Sequence, residues 1–510
     1  TAIFSVVNGV LLEPLPYPDA HELVTVGVAP DRPGEEPGHM SYPDLADLEA
    51  ENPALDVLVG YSTSSLTLTG LGEPRIVETA RVSGGLLRPF RLAPVVGRDV
   101  RRDEFGADAA RVVVLGHGFW KRNFAGSADV LGRTVELNGV AYEVVGVAPE
   151  GFDFPEGSEL WTPRRLDVER CGRACHTWRA VGRLGSGATL EAARAASARI
   201  AANLTEAHPE TNTGKTFAVE GLQDRIVGSV RRGLWLVLGA VGVVLLIACA
   251  NVANLLLVRA SSRTGEVAVR AALGASRGRL SVQVLVESAV LAAAGGVAGL
   301  AVAFGGVELL RRVSPGTIPR IDEVGIDGTV LLFTGGLVVV TTVLFGLSPA
   351  LHLARTSITQ NLVHGGRGGG TEGGERSRSG LLAVEVALSL LLLVGAGLLL
   401  RTFGQLYAVD PGFETREVVR FTLSLPSSRY DTLPEIRSFY RTLEDRLRAL
   451  PGVEEAGSIY GAPLGRGNVI GDVLVDGRPE LPPGQEDHAA LRPVSPEYLE
   501  TMRIPLIRGR

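Results

Sequence analysis

Cysteine is scarce in this sequence, with three residues in 510. So few thiols exclude a disulfide scaffold, because small secreted scaffolds depend on densely spaced cysteines. Charged residues are also few, at 21% of the chain. The net charge of −6 argues against a nucleic-acid partner, since a polyanion requires an excess of lysine and arginine on the protein. We therefore expect no nucleic acid among the partners.

Motifs for catalysis and nucleotide binding are missing as well. The chain has no H-E-x-x-H spacing for a catalytic zinc. The tripeptide Gly214-Lys215-Thr216 resembles the end of a P-loop, but that motif requires a glycine where this chain has Pro209. The sequence therefore predicts a chain that is not an enzyme, has no metal or catalytic site, and holds no cofactor of its own.

Long apolar runs are what the sequence does contain. A bilayer core of about 30 Å needs about 20 apolar helical residues, and four windows reach that length. The first and third windows contain no charged residue, the second contains only Glu287, and the fourth contains only Glu385. The four windows are Leu234–Val258, Leu280–Val307, Thr329–Leu351 and Leu381–Leu400. They predict a polytopic α-helical membrane protein whose first partner is the lipid bilayer.

Arginines in the short connections set the expected orientation. Residues 259–279 contain five arginines against one acid, and residues 352–380 contain four arginines in a Gly-rich segment. Short cytoplasmic loops carry such an excess. We therefore expect these two connections in the cytoplasm and residues 13–232 and 401–510 on the outer side. The predicted location is the inner membrane of the cell, crossed several times.

The outer residues 13–232 have the pattern of an α/β domain. Residues 134–147 alternate apolar and polar side chains around Asn138-Gly139, a strong hairpin signal. Val82–Arg98 aligns without gaps to Val494–Arg510 with identities that include Ser83/Ser495 and Arg91/Arg503. This repeat predicts a second copy of the outer domain. Because the chain opens on Thr1 and ends within the second copy, we expect a fragment of a longer, duplicated protein.

These patterns together predict six segments. The domain boundaries are residues 1–12 for the end of a truncated first transmembrane helix, 13–232 for the outer domain, 233–351 for a unit with three transmembrane helices, 352–380 for a cytoplasmic Gly-rich linker, 381–400 for the helix that opens the second half, and 401–510 for the truncated second outer domain.

Three stretches resemble the MacB/FtsX superfamily of ABC transporter permeases, and more narrowly its duplicated acidobacterial-type members. They are Phe4–Pro18, Arg263–Ser276 and Leu382–Arg401, where Glu385 replaces the amide that the family usually has. The resemblance implies MacB-like periplasmic core domains and FtsX-like membrane helices. It also implies a separate cytoplasmic ABC ATPase that binds the ATP, with a periplasmic adaptor or outer-membrane channel as a further partner.

The resemblance implies ATP-driven motion transmitted to the periplasmic domain, and we expect that motion to serve export. The alternative is a signalling or scaffold permease that transports nothing and regulates a periplasmic protein. Transport predicts ATPase stimulation by a substrate, whereas the scaffold predicts stimulation by a protein partner. A secondary transporter would need ion-binding residues in broken helices.

The segment 259–280 is the predicted ATPase-coupling element. Glu266 and Arg270 are spaced i to i+4 and can pair on a short helix. Gly274 is placed to end that helix, and Leu273 supplies an apolar contact for a groove on the ATPase. The competing interpretation is a positive loop that only fixes the topology.

Polar residues inside the apolar windows form a second set of candidates. Asn251 and Asn254 lie i to i+3 on one helix and predict hydrogen bonds to neighbouring helices. Glu287 and Glu385 are costly in a membrane unless they face a partner or water. For Glu287, an interhelical hydrogen bond and a side chain that reaches the interface both remain open.

The pair Cys171 and Cys175 allows three interpretations. A local disulfide suits an oxidising compartment, free thiols are the alternative, and a metal corner would need further ligands that the sequence does not place nearby.

Overall fold

The computed structural model divides the chain into two compact units. One consists of residues 1–14 and 226–409, and the other of residues 15–225 and 410–510. The described residues are 1–29, 37–106, 110–164, 172–262, 277–313, 319–355, 372–414, 416–426, 429–430, 432–461, 463, 469–473, 475–479 and 488–508.

The first unit is helical. A short helix, α1 (Ala2–Val7), continues as a π-helical turn (Asn8–Leu12). Four long helices follow, and a 3-10 turn at Ile321–Glu323 precedes the third. The long helices are α6 (Leu222–Ser262), α7 (Arg277–Val313), α8 (Gly328–Arg355) and α9 (Glu372–Tyr407).

The long helices contain the predicted apolar windows. By length and composition, three described stretches can cross a membrane: Leu222–Val252, Leu285–Val313 and Leu382–Tyr407. The third predicted window lies within α8, but its described apolar stretch, Gly328–Val343, is shorter than the other three, as is Ala2–Leu12. Apolar side chains along these helices are exposed, as for Leu400 at 73%, which suits a surface that faces lipid.

The second unit is built on a ten-stranded mixed sheet with the order β10-β1-β9-β2-β3-β8-β5-β7-β4, in which β6 pairs with β2 and β7. The β3/β8 and β5/β7 pairs are parallel and the others are antiparallel. The strands are β1 (Leu23–Val28), β2 (Leu55–Thr69), β3 (Arg75–Val82), β4 (Val96–Gly97), β5 (Val112–Leu115), β6 (Thr134–Leu137), β7 (Val140–Val147), β8 (Leu160–Pro163), β9 (Arg179–Leu184) and β10 (Phe217–Gly221).

Helices pack against the sheet and enclose two apolar cores between themselves and the sheet. The helices of this part are α2 (Tyr42–Glu51), α3 (His117–Phe124), α4 (Leu190–Ala207) and the short α5 (Pro209–Asn212). One core joins α2 and α4 to the sheet around the buried Trp178, and the other joins α3 to the sheet around Phe119 and Leu160. Asn138 and Gly139 have φ of 53° and 72°, so the predicted hairpin between β6 and β7 is present with the left-handed turn it requires.

Arg183, on β9, secures the chain where it enters the sheet. Its side chain is 1% exposed, and its Nη1 donates to Glu22 Oε2 at 2.8 Å. The same guanidinium donates to three backbone carbonyls, Pro89 at 2.6 Å, Pro18 at 2.8 Å and Asp19 at 3.1 Å. A buried cation is stable here because all three of its nitrogens have acceptors.

The remaining elements are α10 (Leu433–Arg448), the β11/β12 pair (Val469–Asp472 and His488–Leu491) and α11 (Tyr498–Thr501). Two local geometries here match the first copy of the sequence repeat. The φ of Arg503 is 51° and that of Arg91 is 54°. A serine hydroxyl accepts a backbone N–H in each copy, from Gly60 to Ser83 Oγ at 2.9 Å and from Ser458 to Ser495 Oγ at 3.0 Å. The second outer domain over residues 401–510 stays a prediction.

Asp99 gives the sheet unit a pH-dependent stability. Its carboxylate accepts from Leu87 N at 2.8 Å and Val100 N at 2.7 Å. Burial nevertheless raises the pKa of Asp99 from 3.8 to about 6. Between these two values the folded chain binds more protons than the unfolded chain, so stability is lost as the pH rises through this window.

We expect Asp99→Asn to remove this contribution. The difference in free energy of unfolding between the parent and the variant should fall by about 2 kcal/mol as the pH rises from 4.5 to 7. Denaturant titrations of the full chain in detergent, across that range, measure the difference. A difference that stays constant with pH would contradict the raised pKa.

Candidate functional site

A single arginine organises the polar contacts at one end of the helical unit. Arg320 lies in the connection between α7 and α8, and its side chain is 5% exposed. It adopts a left-handed backbone conformation with φ of 60°. This conformation is uncommon for a residue with a Cβ, so the surrounding contacts must stabilise it.

The Arg320 guanidinium donates to carbonyls in the last turn of the first helical segment and directly after it. Nη1 donates to Glu13 O at 2.7 Å and to Val10 O at 3.4 Å, and Nη2 donates to Pro14 O at 2.9 Å. The carbonyls at a helix end have no partner within the helix, so an arginine can satisfy them. Glu323 Oε2 accepts from both Nε and Nη2, at 3.0 and 2.7 Å, which fixes the plane of the guanidinium.

Two further polar contacts join the same segments. Asn8 Nδ2 donates to Asp327 Oδ2 at 3.2 Å, while Asp327 Oδ1 accepts from Val330 N at 2.7 Å in the first turn of α8. Asp327 is therefore both the N-cap of α8 and an acceptor for the π-helical turn. Arg311, near the end of α7, donates through Nη2 to Val324 O.

Apolar packing surrounds these contacts. Val10 and Val324 are fully buried in a cluster that also contains residues of α6 and α7, namely Val227 and Val307. A Cβ on Gly9 would lie 3.1 Å from Val324 Cα, so this position requires glycine or a shift of the connection. We call Asn8, Arg320, Glu323 and Asp327, with the carbonyls of residues 10, 13 and 14, the arginine clasp. It ties the end of the first helical segment to the α7–α8 connection.

Aromatic and hydroxyl contacts extend the attachment along α8. The Phe4 and Phe333 rings stack with their centroids 3.7 Å apart, and the Thr1 and Thr334 hydroxyls lie 3.2 Å apart. The first helical segment and α8 are therefore positioned to move as one body.

None of the sequence-predicted site residues that the structure describes is part of this clasp. Glu266, Arg270, Leu273 and Gly274 all lie outside the described residues, so the coupling element stays a prediction. Cys175 is disulfide-bonded, but Cys171 also lies outside the described residues, and their pairing stays a prediction. Cys249 is a buried free thiol.

The four intramembrane polar residues lie on three of the long helices. Asn251 is exposed, and Asn254 is half-buried with its Oδ1 lacking a hydrogen bond among the described residues. Glu287 is half-buried and accepts from Gln283 Nε2, one turn before it, at 3.4 Å. Glu385 is half-buried in α9. Their proposed roles in helix association remain predictions.

Sequence reasoning missed the clasp itself. Two signals were available: Asn8 is polar inside an apolar run, and Asp327 stands directly before an apolar helix, where an N-cap is expected. The carbonyl partners of Arg320 leave no signal in the sequence, because every residue has a carbonyl. No group of three or more metal-ligating side chains occurs among the described residues.

Comparison with known proteins finds two family models that match parts of the chain. Residues 1–200 match the family model of the MacB-like periplasmic core domain, and residues 238–358 match that of the FtsX-like permease C-terminal domain. The second match contains the α7–α8 connection, and the first contains the segment that Arg320 binds.

The chain is also similar in sequence to ABC transporter permeases and to export ATP-binding/permease proteins. The chain is 27% identical over 239 residues to the uncharacterized ABC transporter permease YknZ of Bacillus subtilis, covering 46% of this chain and 58% of that protein. It is 30% identical over 215 residues to the macrolide export ATP-binding/permease protein MacB of Chromobacterium violaceum, covering 41% of this chain and 32% of that protein. The chain thus spans less than two thirds of the length of these relatives.

Among solved structures, the periplasmic region of MacB from Actinobacillus actinomycetemcomitans matches 45% of this chain and 98% of its own, with 16% identity and a TM-score of 0.33. The two family models match consecutive parts of the chain, and three of the described helices are long and apolar enough to span a membrane. This chain is therefore a multi-pass membrane protein of the MacB/FtsX family of ABC transporter permeases.

Proposed function

We propose that this chain receives mechanical work from a separate cytoplasmic ABC ATPase and passes it to the domain built on the ten-stranded sheet, in the service of export. In this proposal the chain neither binds nor hydrolyses ATP. The ATPase contacts the segment between α6 and α7, and the sheet domain lies on the outer side of the membrane. MacB relatives whose names state macrolide export support the direction of transport.

The arginine clasp is the observation that carries this proposal. Work delivered to the α6–α7 connection would move α7, and the clasp ties the other end of α7 and the start of α8 to residues 10–14. From Leu15 the chain continues directly into the sheet unit. A rigid attachment is needed at this point, because a loose one would absorb a small displacement instead of transmitting it.

The orientation of the membrane helices tests the proposal. A cytoplasmic ATPase can reach the α6–α7 connection only if that connection faces the cytoplasm. We expect a cysteine at Ala141, an exposed position of β7, to react with an impermeant thiol reagent in intact cells, and a cysteine at Ser262 to react only after the cells are opened.

Ala141 is preferable to the neighbouring Gly139, because the left-handed φ of 72° at Gly139 would strain any other residue. The parent chain, with Cys249 buried and Cys175 in a disulfide, supplies the background labelling. Labelling of Ser262→Cys but not of Ala141→Cys in intact cells would contradict the proposed function.

A further inference from the structure

Two arginines that have no acidic partner among the described residues lie on the face of the sheet that the helices cover. Arg81, on β3, and Arg164, directly after β8, are close enough for the charge of Arg81 to act on Arg164. Arg164 Nη1 donates to Ser62 Oγ at 3.2 Å, and its guanidinium lies 4.9 Å above the Trp178 ring. Among the described residues, neither arginine forms a salt bridge.

The proximity of the two half-buried positive charges of Arg81 and Arg164 is unfavourable in the free protein. Burial and the neighbouring charge of Arg81 both lower the pKa of Arg164. Two like charges in a partly desolvated position repel each other, and an arginine remains protonated and cannot relieve the repulsion by losing its proton. An anion between the two guanidinium groups would relieve it.

Side chains with hydroxyl groups lie beside the arginines on the same face of the sheet. Strand register places Ser62 opposite Arg81 and Ser64 opposite Thr79, and residues opposite each other in an antiparallel pair share one face. Thr79 is 1% exposed, and the hydroxyls of Thr79 and Ser64 are both buried without a hydrogen bond in the described part of the chain. Buried hydroxyls normally have a partner, so these two are available as donors to a ligand.

The position between the two apolar cores explains why a polar site can exist here. On this face of the sheet, Leu66 and Val77 belong to the core under α3, and Trp178 belongs to the core under α2 and α4. The polar residues lie between these cores. We call Ser62, Ser64, Thr79, Arg81 and Arg164 the arginine–hydroxyl site.

We propose that the arginine–hydroxyl site binds a small oxyanion, a carboxylate or phosphate group, between the guanidinium groups of Arg81 and Arg164, with Ser64 and Thr79 as additional donors. Guanidinium groups only donate hydrogen bonds, and hydroxyls can donate, so the set demands acceptor oxygens carrying negative charge. A carboxylate and a phosphate share this chemistry. The site is independent of the proposed coupling to an ATPase.

Calorimetric titration of the full chain in detergent tests the proposal, with inorganic phosphate in one arm and acetate in the other at matched ionic strength. We expect at least one anion to bind in the millimolar range. Arg81→Gln and Arg164→Gln should each weaken binding at least tenfold, and Thr79→Val should weaken it severalfold without removing a charge. Tighter binding of phosphate would identify a phosphate site, and tighter binding of acetate a carboxylate site.

Arg111→Gln is the matched control, because Arg111 is exposed and lies outside the site. It should leave the affinity unchanged while altering the net charge by the same amount as the test substitutions. Circular dichroism of each variant checks the fold, and Thr79→Val keeps the test valid if an arginine variant does not fold. Absence of binding by both anions, or equal weakening by Arg111→Gln, would overturn the proposal.

Discussion

Arg320→Met is expected to uncouple the permease while leaving it inserted in the membrane. The substitution removes the donors to the carbonyls of Val10, Glu13 and Pro14 and releases Glu323. Charged hydrogen bonds contribute about 1.5 to 3 kcal/mol each, but the exposed carbonyls of residues 13 and 14 can regain water. We therefore expect a loss of about 2 to 4 kcal/mol in local stability at the clasp.

Hydrogen–deuterium exchange of the full chain measures that loss. Amides in residues 10–13 and 320–327 should exchange roughly 30 to 700 times faster in Arg320→Met, because the exchange rate rises exponentially with the local free energy lost. Stimulation of the partner ATPase should fall with it. Arg320→Lys should be intermediate, because an ammonium group cannot contact all of these acceptors in the plane that the guanidinium occupies.

Arg312→Met is the matched control for this substitution. Arg312 lies in the same part of the chain, but its side chain is 74% exposed, and among the described residues it pairs with Glu308, one turn earlier on α7. Such surface pairs contribute about 0 to 1 kcal/mol, so exchange near the clasp should remain close to that of the parent. Equal exchange in Arg320→Met and Arg312→Met would show that the clasp is not a rigid attachment.

Apolar length and turn chemistry predicted the fold class, the long helices and one hairpin of the sheet. The uncharged window from Leu234 indicated a membrane helix, and the Asn138-Gly139 pair indicated the hairpin, because both signals arise within one stretch of chain. The bounds were less accurate. Helix α6 begins at Leu222, well before the predicted window, because Arg231 and Arg232 interrupt the apolar run without interrupting the helix.

The residues that tie segments together could not be predicted in this way. Arg183 and Arg320 each bind several backbone carbonyls that are distant in sequence, and such acceptors exist at every position. Only packing selects which of them a buried guanidinium meets. The arginine–hydroxyl site is equally hidden, since it depends on the register that places Ser64 opposite Thr79.

Substitutions in the connection between α6 and α7 are also expected to have a large effect. If Leu273 is the apolar contact for the ATPase, Leu273→Asp would place a charge in a desolvated groove, which costs several kcal/mol and would reduce binding by at least a hundredfold. Gly274→Val should act by preventing the left-handed helix end that the segment is predicted to need. Neither substitution changes the arginines that set the topology.

The most direct test of the account is whether this chain stimulates ATP hydrolysis by a separate ABC ATPase through that connection. The chain and its ATPase are co-purified from membranes, and hydrolysis is measured for the parent, Leu273→Asp and Gly274→Val at equal amounts of inserted permease. We expect the parent to retain and stimulate the ATPase, and both variants to insert normally and fail to do so. Normal binding and stimulation by both variants would contradict this expectation.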